Sequence, residues 1–268
     1  MTDPQNPLSA PTLQSLFGRA AQAGTLSTQS QTLLSGDLGP LVIAGASGRA
    51  VDDIQASDVT LVTLLIDAST SIGERGLQHA VCAGQNQLLD AFAGSREKDA
   101  VLCALWTFAS DARVVHSYVP VDDAVRLDQR SYTPGGTTHL FDTFCDAAAA
   151  NVAYAQTLRD AGTPVRSVVV VVTDGEDVGS RRPARTCRKL ATDLLKSEQF
   201  HLAFVGVGAD VDFRAVAHSM GFPDGAILVQ QDTTPQALRA AFSMVSRSVV
   251  RASQGRIQPG PAAGFFAP

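Results

Sequence analysis

The sequence has no cysteine pair with C-x-x-C spacing; its four cysteines stand far apart, at 82, 103, 145 and 187. That argues against a zinc knuckle and a dithiol redox motif, and the apolar or helical surroundings of three of them predict small core residues. There is no GxxxxGK[ST] stretch and no G-x-S-x-G elbow, so neither a phosphate-cradling loop nor a hydrolase nucleophile turn is encoded in the familiar way. His79, His116, His139, His201 and His218 show no metal-ligand spacing, although His139 stands close enough to Thr137 to line the same loop. Gly206-x-Gly208 lacks the third glycine of a dinucleotide fingerprint and reads as a turn. Charged residues are scarce at 18%, and 21 basic against 26 acidic residues leave a net charge of -5. A nucleic-acid binder is usually basic, so nucleic acid is not expected as the main ligand. The longest aliphatic run, 168–172, falls far short of a membrane span. The opening MTDPQNPLSAP has neither a basic nor an apolar leader region, which predicts no signal peptide. Together with free-looking cysteines, these absences predict a cytoplasmic protein.

What is present suffices for a large core: 45% of the residues are hydrophobic. Residues 1–57 read as a helical extension and linker. Three prolines in the first eleven residues predict a flexible lead-in. Leu13, Leu16, Phe17, Ala20 and Ala21 then mark one face of a short helix that Gly24 ends. Thr28 and Gln31 fit a capping box for a second helix, stopping at Gly36. Residues 40–44 read as a short strand and 45–58 as a connection. This part is expected to pack on the sheet edge or to dock a partner.

Residues 58–252 alternate strands (59–67, 100–108, 113–119, 167–173, 201–207, 226–229) with helices (73–92, 139–158, 183–197, 211–220, 235–250). The nearly unbroken apolar strands 59–67 and 167–173 suit positions buried on both faces of a parallel sheet. Only a few residues separate 100–108 from 113–119, too few for a parallel crossover, so this pair must be an antiparallel hairpin. The expected fold is a three-layer α/β/α sandwich of Rossmann-like type, with a mostly parallel six-stranded sheet and one antiparallel edge strand. Residues 253–268 read as a flexible tail, whose adjacent Phe265 and Phe266 are either inert or suited to docking in a groove of another protein.

Ligands of such sheets bind outside the carboxyl ends of the strands. There the first buried strand ends in Asp67-Ala-Ser69-Thr-Ser71, and the central one ends in Thr173-Asp174-Gly175-Glu176. Gly135-Gly136-Thr137-Thr138 precedes a helix on the same rim. The distinctive side chains offer oxygen and no sulfur or imidazole, which is the donor set of hard cations such as Mg²⁺. Taken singly, these pieces could be helix caps and an Asp-Gly turn.

Taken together they resemble the von Willebrand factor type A (vWA) family, over about 59–250. Its metal-ion-dependent adhesion site combines Asp-x-Ser-x-Ser with a distant Thr and a distant Asp, and Asp67, Ser69, Ser71, Thr137 and Asp174 match those five positions. The resemblance implies a Mg²⁺ site, with Mn²⁺ or Ca²⁺ as alternatives, whose open position takes an Asp or Glu of a protein partner. It implies a binding module and not an enzyme. The sequence is also similar to bacterial stand-alone cytosolic vWA proteins of the tellurite-resistance type, which implies a stress or defence system and kinase, phosphatase or ATPase associates. A Mg²⁺-dependent, phosphatase-like hydrolase and an adaptor subunit for a separate ATPase stand as alternatives. The basic run Arg181, Arg182, Arg185, Arg188 and Lys189 opposes a helix dipole. It reads either as a seat for an acidic partner or phosphate, or as a solvated face offset by Glu176 and Asp177.

Overall fold

The computed structural model describes residues 8–36, 38–260 and 264–266. Six strands form one sheet: β1 (Val59–Asp67), β2 (Val101–Phe108), β3 (Ala112–Pro120), β4 (Val165–Thr173), β5 (Phe200–Val207) and β6 (Ile227–Gln230). They run in the order β3-β2-β1-β4-β5-β6. All neighbours are parallel except β2 and β3, which form the expected antiparallel hairpin. Every residue of β1 and β5 is buried. That follows from helices on both faces, which leave an alternating strand no solvent side.

The two faces separate cleanly by alternation along each strand. Leu61, Leu65, Trp106, Val169, Val171 and Phe204 belong to one apolar cluster, and Val62, Leu64, Leu105, Val168, Val170 and Val205 to the other. The first cluster is closed by α1 (Ala10–Gln22), α2 (Thr28–Gly36), α3 (Pro40–Gly45), α6 (Leu140–Asp160), α7 (Ala184–Lys196) and α8 (Phe213–Met220). The second is closed by α4 (Thr70–Glu74), α5 (Gln78–Ala93) and α9 (Pro235–Ser253). The α/β/α sandwich is thus complete. Because β2 and β4 flank β1 on opposite sides, the strand order reverses between β1 and β4, and the crevice of such a sheet opens at their carboxyl ends.

Four local expectations need correction. Residues 40–44 form helix α3, not a strand: Pro40 sits in its first turn, Val42 is buried, and Gly45 closes on the Trp106 ring. A Cβ on Gly45 would lie 2.1 Å from Trp106 Cζ2, so only glycine allows this approach. The single helix expected over 73–92 is split into α4 and α5 at Gly76, whose φ of 65° breaks the helix. The cap of α2 comes from Ser27, whose Oγ accepts from the Ser30 N–H at 3.2 Å, in place of the Thr28–Gln31 box. Finally, the tail is anchored where it is described. Ile257 and Phe265 are buried, the Phe265 ring lies 5.9 Å from the His201 ring, and the Phe266 N–H donates to the Gly225 carbonyl at 2.9 Å. Phe265 is therefore occupied within its own chain and is not free to dock elsewhere.

The lead-in expected over the first eleven residues lies largely outside the described residues, and α1 already begins at Ala10. The extension is packed on the sandwich, α1 and α3 on α6, and the Arg49 N–H donates to the Tyr118 carbonyl at the outer strand β3, 2.9 Å away. All four cysteines are free and buried.

Candidate metal centre

Among the described residues no three His, Cys, Asp or Glu side chains converge. A metal centre in this chain therefore has to recruit hydroxyl oxygens, and one rim of the sheet gathers them. Asp67 ends β1, and residues 66 and 172 are register partners, so Asp67 and Thr173 are brought side by side and Asp174 follows. Ser69 occupies the cap position of α4, but its hydroxyl makes no cap bond. Instead Ser69 Oγ lies 3.0 Å from Ser71 Oγ, and Ser71 Oγ donates to Asp174 Oδ1 at 2.7 Å. Because Ser71's proton goes to Asp174, the Ser69 hydroxyl donates to Ser71. This relay joins the β1 end to the β4 end and replaces the simple helix-cap reading of the two serines.

The two carboxylates differ in what they have left to offer. Asp67 Oδ1 accepts from the Ser69 N–H at 2.8 Å, and Oδ2 accepts from Thr173 Oγ1 at 2.6 Å. Burial raises its pKa to about 6, against the lowering effect of those bonds. The Tyr132 hydroxyl donates to the Asp67 carbonyl and fixes the strand end from below. Asp174 is also buried, and burial raises its pKa against the lowering influence of Ser71 and Arg75. Its Oδ2, unlike either oxygen of Asp67, has no hydrogen-bond partner among the described residues. Arg75 balances its charge from 3.4 Å without donating to it, so the buried oxygen keeps an unused acceptor position, which is costly unless a ligand such as a metal ion takes it. The all-oxygen set and this orphaned atom fit a hard divalent ion.

Thr137 joins by way of its loop. The Gly135 N–H donates to the Ala68 carbonyl at 2.8 Å, and the Thr70 N–H donates to the Gly136 carbonyl at 3.0 Å. These bonds pin the loop onto the Asp67–Ser71 turn. The Thr137 hydroxyl itself pairs with Ser110 Oγ at 3.0 Å, and the same Ser110 oxygen accepts the Thr137 N–H at 2.9 Å. The structure thus links Asp67, Ser69, Ser71 and Asp174 through a continuous set of hydrogen bonds and holds exposed Thr137 beside them.

Other rim expectations fall differently. The His139 ring packs on the loop after Asp174: a Cβ on Gly179 would lie 2.6 Å from its Nε2. Within the basic run, Arg182 is paired inside the chain with Asp146 at 2.8 Å and donates to the Asp142 carbonyl at 3.0 Å. Asp142 and Asp146 offset it, in place of the expected Glu176 and Asp177. Asp177 instead accepts from the Phe141 N–H at 3.0 Å at the start of α6.

Three contributors had no signal of their own in the sequence. Ser110 sits in the hairpin turn, and Tyr132 in an irregular segment. Arg75, just past α4, places Nη1 3.4 Å from Asp174 Oδ2. None of the three lies in a pattern that ties it to a residue so distant in the chain.

The family description "von Willebrand factor type A domain" matches residues 62–255. A search of the curated proteins finds no match. Among solved structures, proximal thread matrix protein 1 from the mussel byssus is similar at a TM-score of 0.52 and 19% identity, over 77% of this chain and 48% of that one. A von Willebrand factor type A protein from Catenulispora acidiphila matches at 0.52 and 17% identity, over 72% and 43%. The pilus adhesin SpaC from Lactobacillus rhamnosus GG matches at 0.52 and 14% identity, over 74% and 30%. This chain therefore spans about half or less of the length of those proteins, and at such identities the likeness shows the fold alone. The family match covers well over half of the sequence, and the chain belongs to the von Willebrand factor type A domain family.

Proposed function

We propose that this chain is a divalent-metal-dependent protein-interaction module. In this reading Asp67, Ser69, Ser71, Thr137 and Asp174 hold Mg²⁺, with Mn²⁺ or Ca²⁺ as alternatives, and the partner presents an Asp or Glu. Domains of this family are commonly metal-dependent interaction modules. The observation that carries the reading for this chain is the buried Asp174 Oδ2, open on the rim where the Ser69 and Ser71 hydroxyls meet.

A bound dication supplies an electrophilic position for a carboxylate from outside. The chain's residues keep that position strong. Ser69, Ser71 and Thr137 are neutral donors, so they orient the ion without quenching it. Asp67 spends both oxygens on Ser69 and Thr173, which suits it to hold the serine turn in place more than to neutralise the ion directly.

We read the chain as a binder and not as an enzyme. The hydrolase alternative needs a general base at the rim; the His139 ring lies against Gly179 and the Asp177 carboxylate is engaged by Phe141 and Ser180, which leaves exposed Glu176 as the candidate base for that alternative. An adaptor for a separate ATPase accords with the missing phosphate-binding loop and keeps the same metal chemistry. A bacterial, cytoplasmic stress or defence setting of the tellurite-resistance type, with kinase, phosphatase or ATPase associates, belongs to the proposal on sequence resemblance alone. Among the described residues no helix is long and apolar enough to cross a membrane.

The test is affinity capture from the native host with Mg²⁺ or with EDTA, using wild type and Ser69→Ala. The proposal expects a partner retained only by wild type in Mg²⁺. Capture that survives both chelation and the substitution would remove the metal as the bridge.

A further inference from the structure

Arg75 places a fixed positive charge inside the candidate metal centre. Its Nη1 lies 3.4 Å from Asp174 Oδ2 and donates to the Asp174 carbonyl at 3.2 Å and the Val207 carbonyl at 3.5 Å. Its Nη2 pairs with Asp210 Oδ2 at 3.0 Å. One guanidinium thus spans the end of α4, the ends of β4 and β5, and the loop after β5. The arrangement is graded in exposure: the Asp174 side chain is 0% exposed, Arg75 26% and Asp210 80%. The inner anion is therefore the one that depends on Arg75 for compensation.

The contact with Oδ2 is an ion pair without hydrogen-bond geometry, and Oδ2 remains an open acceptor. Arg75 accordingly balances the charge of Asp174 without occupying the position a ligand would use. A dication arriving at Oδ2 enters the field of a guanidinium that cannot lose its proton. Like charges this close in a partly buried site repel strongly, even with the attenuation of a partly exposed side chain.

We propose that Arg75 is a resident counter-cation of the site: it compensates Asp174 while no divalent ion is bound and opposes the ion once it enters, so it keeps metal affinity low and the ion exchangeable. The proposal rests on the metal reading above and adds that this chain carries its own competitor for the metal. Replacing the charge should therefore move two quantities in opposite directions, tightening metal binding and weakening the metal-free fold. Loss of an ordinary packing residue would weaken both.

The experiment measures Mg²⁺ and Mn²⁺ binding by titration calorimetry and thermal melting in EDTA, for the full chain as wild type, Arg75→Gln and Arg75→Lys. Arg75→Gln is expected to bind the ion about tenfold more tightly and to melt at lower temperature in EDTA. Arg75→Lys keeps the charge and is expected to stay near wild type in affinity. An Arg75→Gln chain that is unfolded in EDTA and folded in Mg²⁺ supports the proposal when Arg75→Lys stays folded in EDTA, because the ion then replaces the lost charge and not lost packing. Equal or weaker metal binding by folded Arg75→Gln overturns it, as does unfolding that metal does not reverse. Metal binding by wild type that Arg75→Gln leaves unchanged sinks this inference alone, whereas no metal uptake by wild type sinks the site reading and this inference together.

Discussion

Asp67 and Asp174 stand at the ends of neighbouring strands and yet differ in what their carboxylates have left to offer, because their hydrogen-bond partners differ. Burial raises the Asp67 pKa from 3.8 to about 6. The folded chain then holds this proton more tightly than the unfolded chain. By linkage, metal-free stability falls as pH rises from 3.8 to about 6, and the loss is complete above that window. A divalent ion offsets the same negative charge. The increase in Tm given by Mg²⁺ should therefore grow as pH is raised through about 6, which melts from pH 5 to 7.5 with and without Mg²⁺ would read. A Mg²⁺ effect that is flat over this range would contradict a bound ion close enough to Asp67 to feel its charge. That the five oxygen residues share one rim was legible in the sequence because Asp67 ends one buried strand, Asp174 follows another, Ser69 and Ser71 lie in the turn into α4, and Thr137 precedes α6, and strand ends can be read from apolar runs. Arg75 and Ser110 were not, since the contacts that give them meaning, with Asp174 and Thr137, exist only after the sheet has assembled.

Elements were legible in proportion to the burial of their surroundings. Strands β1 and β4 announce themselves as apolar, β-branched runs, and the β2–β3 hairpin follows from its short connection. Helix α3 did not, because Leu41, Val42 and Ile43 suit a strand as well as a helix, and the deciding contact is the Trp106 ring beside Gly45. Gly45→Ala should force that ring or α3 to move and cost about 1–3 kcal/mol of stability. Denaturant unfolding followed by far-ultraviolet circular dichroism measures this, and an unchanged midpoint would refute the close approach. The tail misled for a similar reason. Its Gly and Pro content reads as flexible, while the burial of Ile257 and Phe265 depends on a surface made by distant strands and helices.

The whole molecule is a switch-point sandwich in which the amino-terminal extension is part of the core. Trp106, the single tryptophan, is 0% exposed and lies under α3. Deleting residues 1–50 should move its fluorescence emission to the red and lower Tm, and an unshifted spectrum would show that the extension does not cover the sheet. The opposite end of the sheet's logic is chemical: parallel strands bring Asp67 and Asp174, 107 residues apart in the chain, to one rim. The most direct test of the account is calorimetric titration of the full chain with Mg²⁺, Mn²⁺ and Ca²⁺, beside an Asp174→Ala variant that melts cooperatively. The account predicts one ion per wild-type chain and none for the variant. A wild-type chain that takes up no ion at millimolar concentration, or a variant that binds as well as wild type, would contradict it.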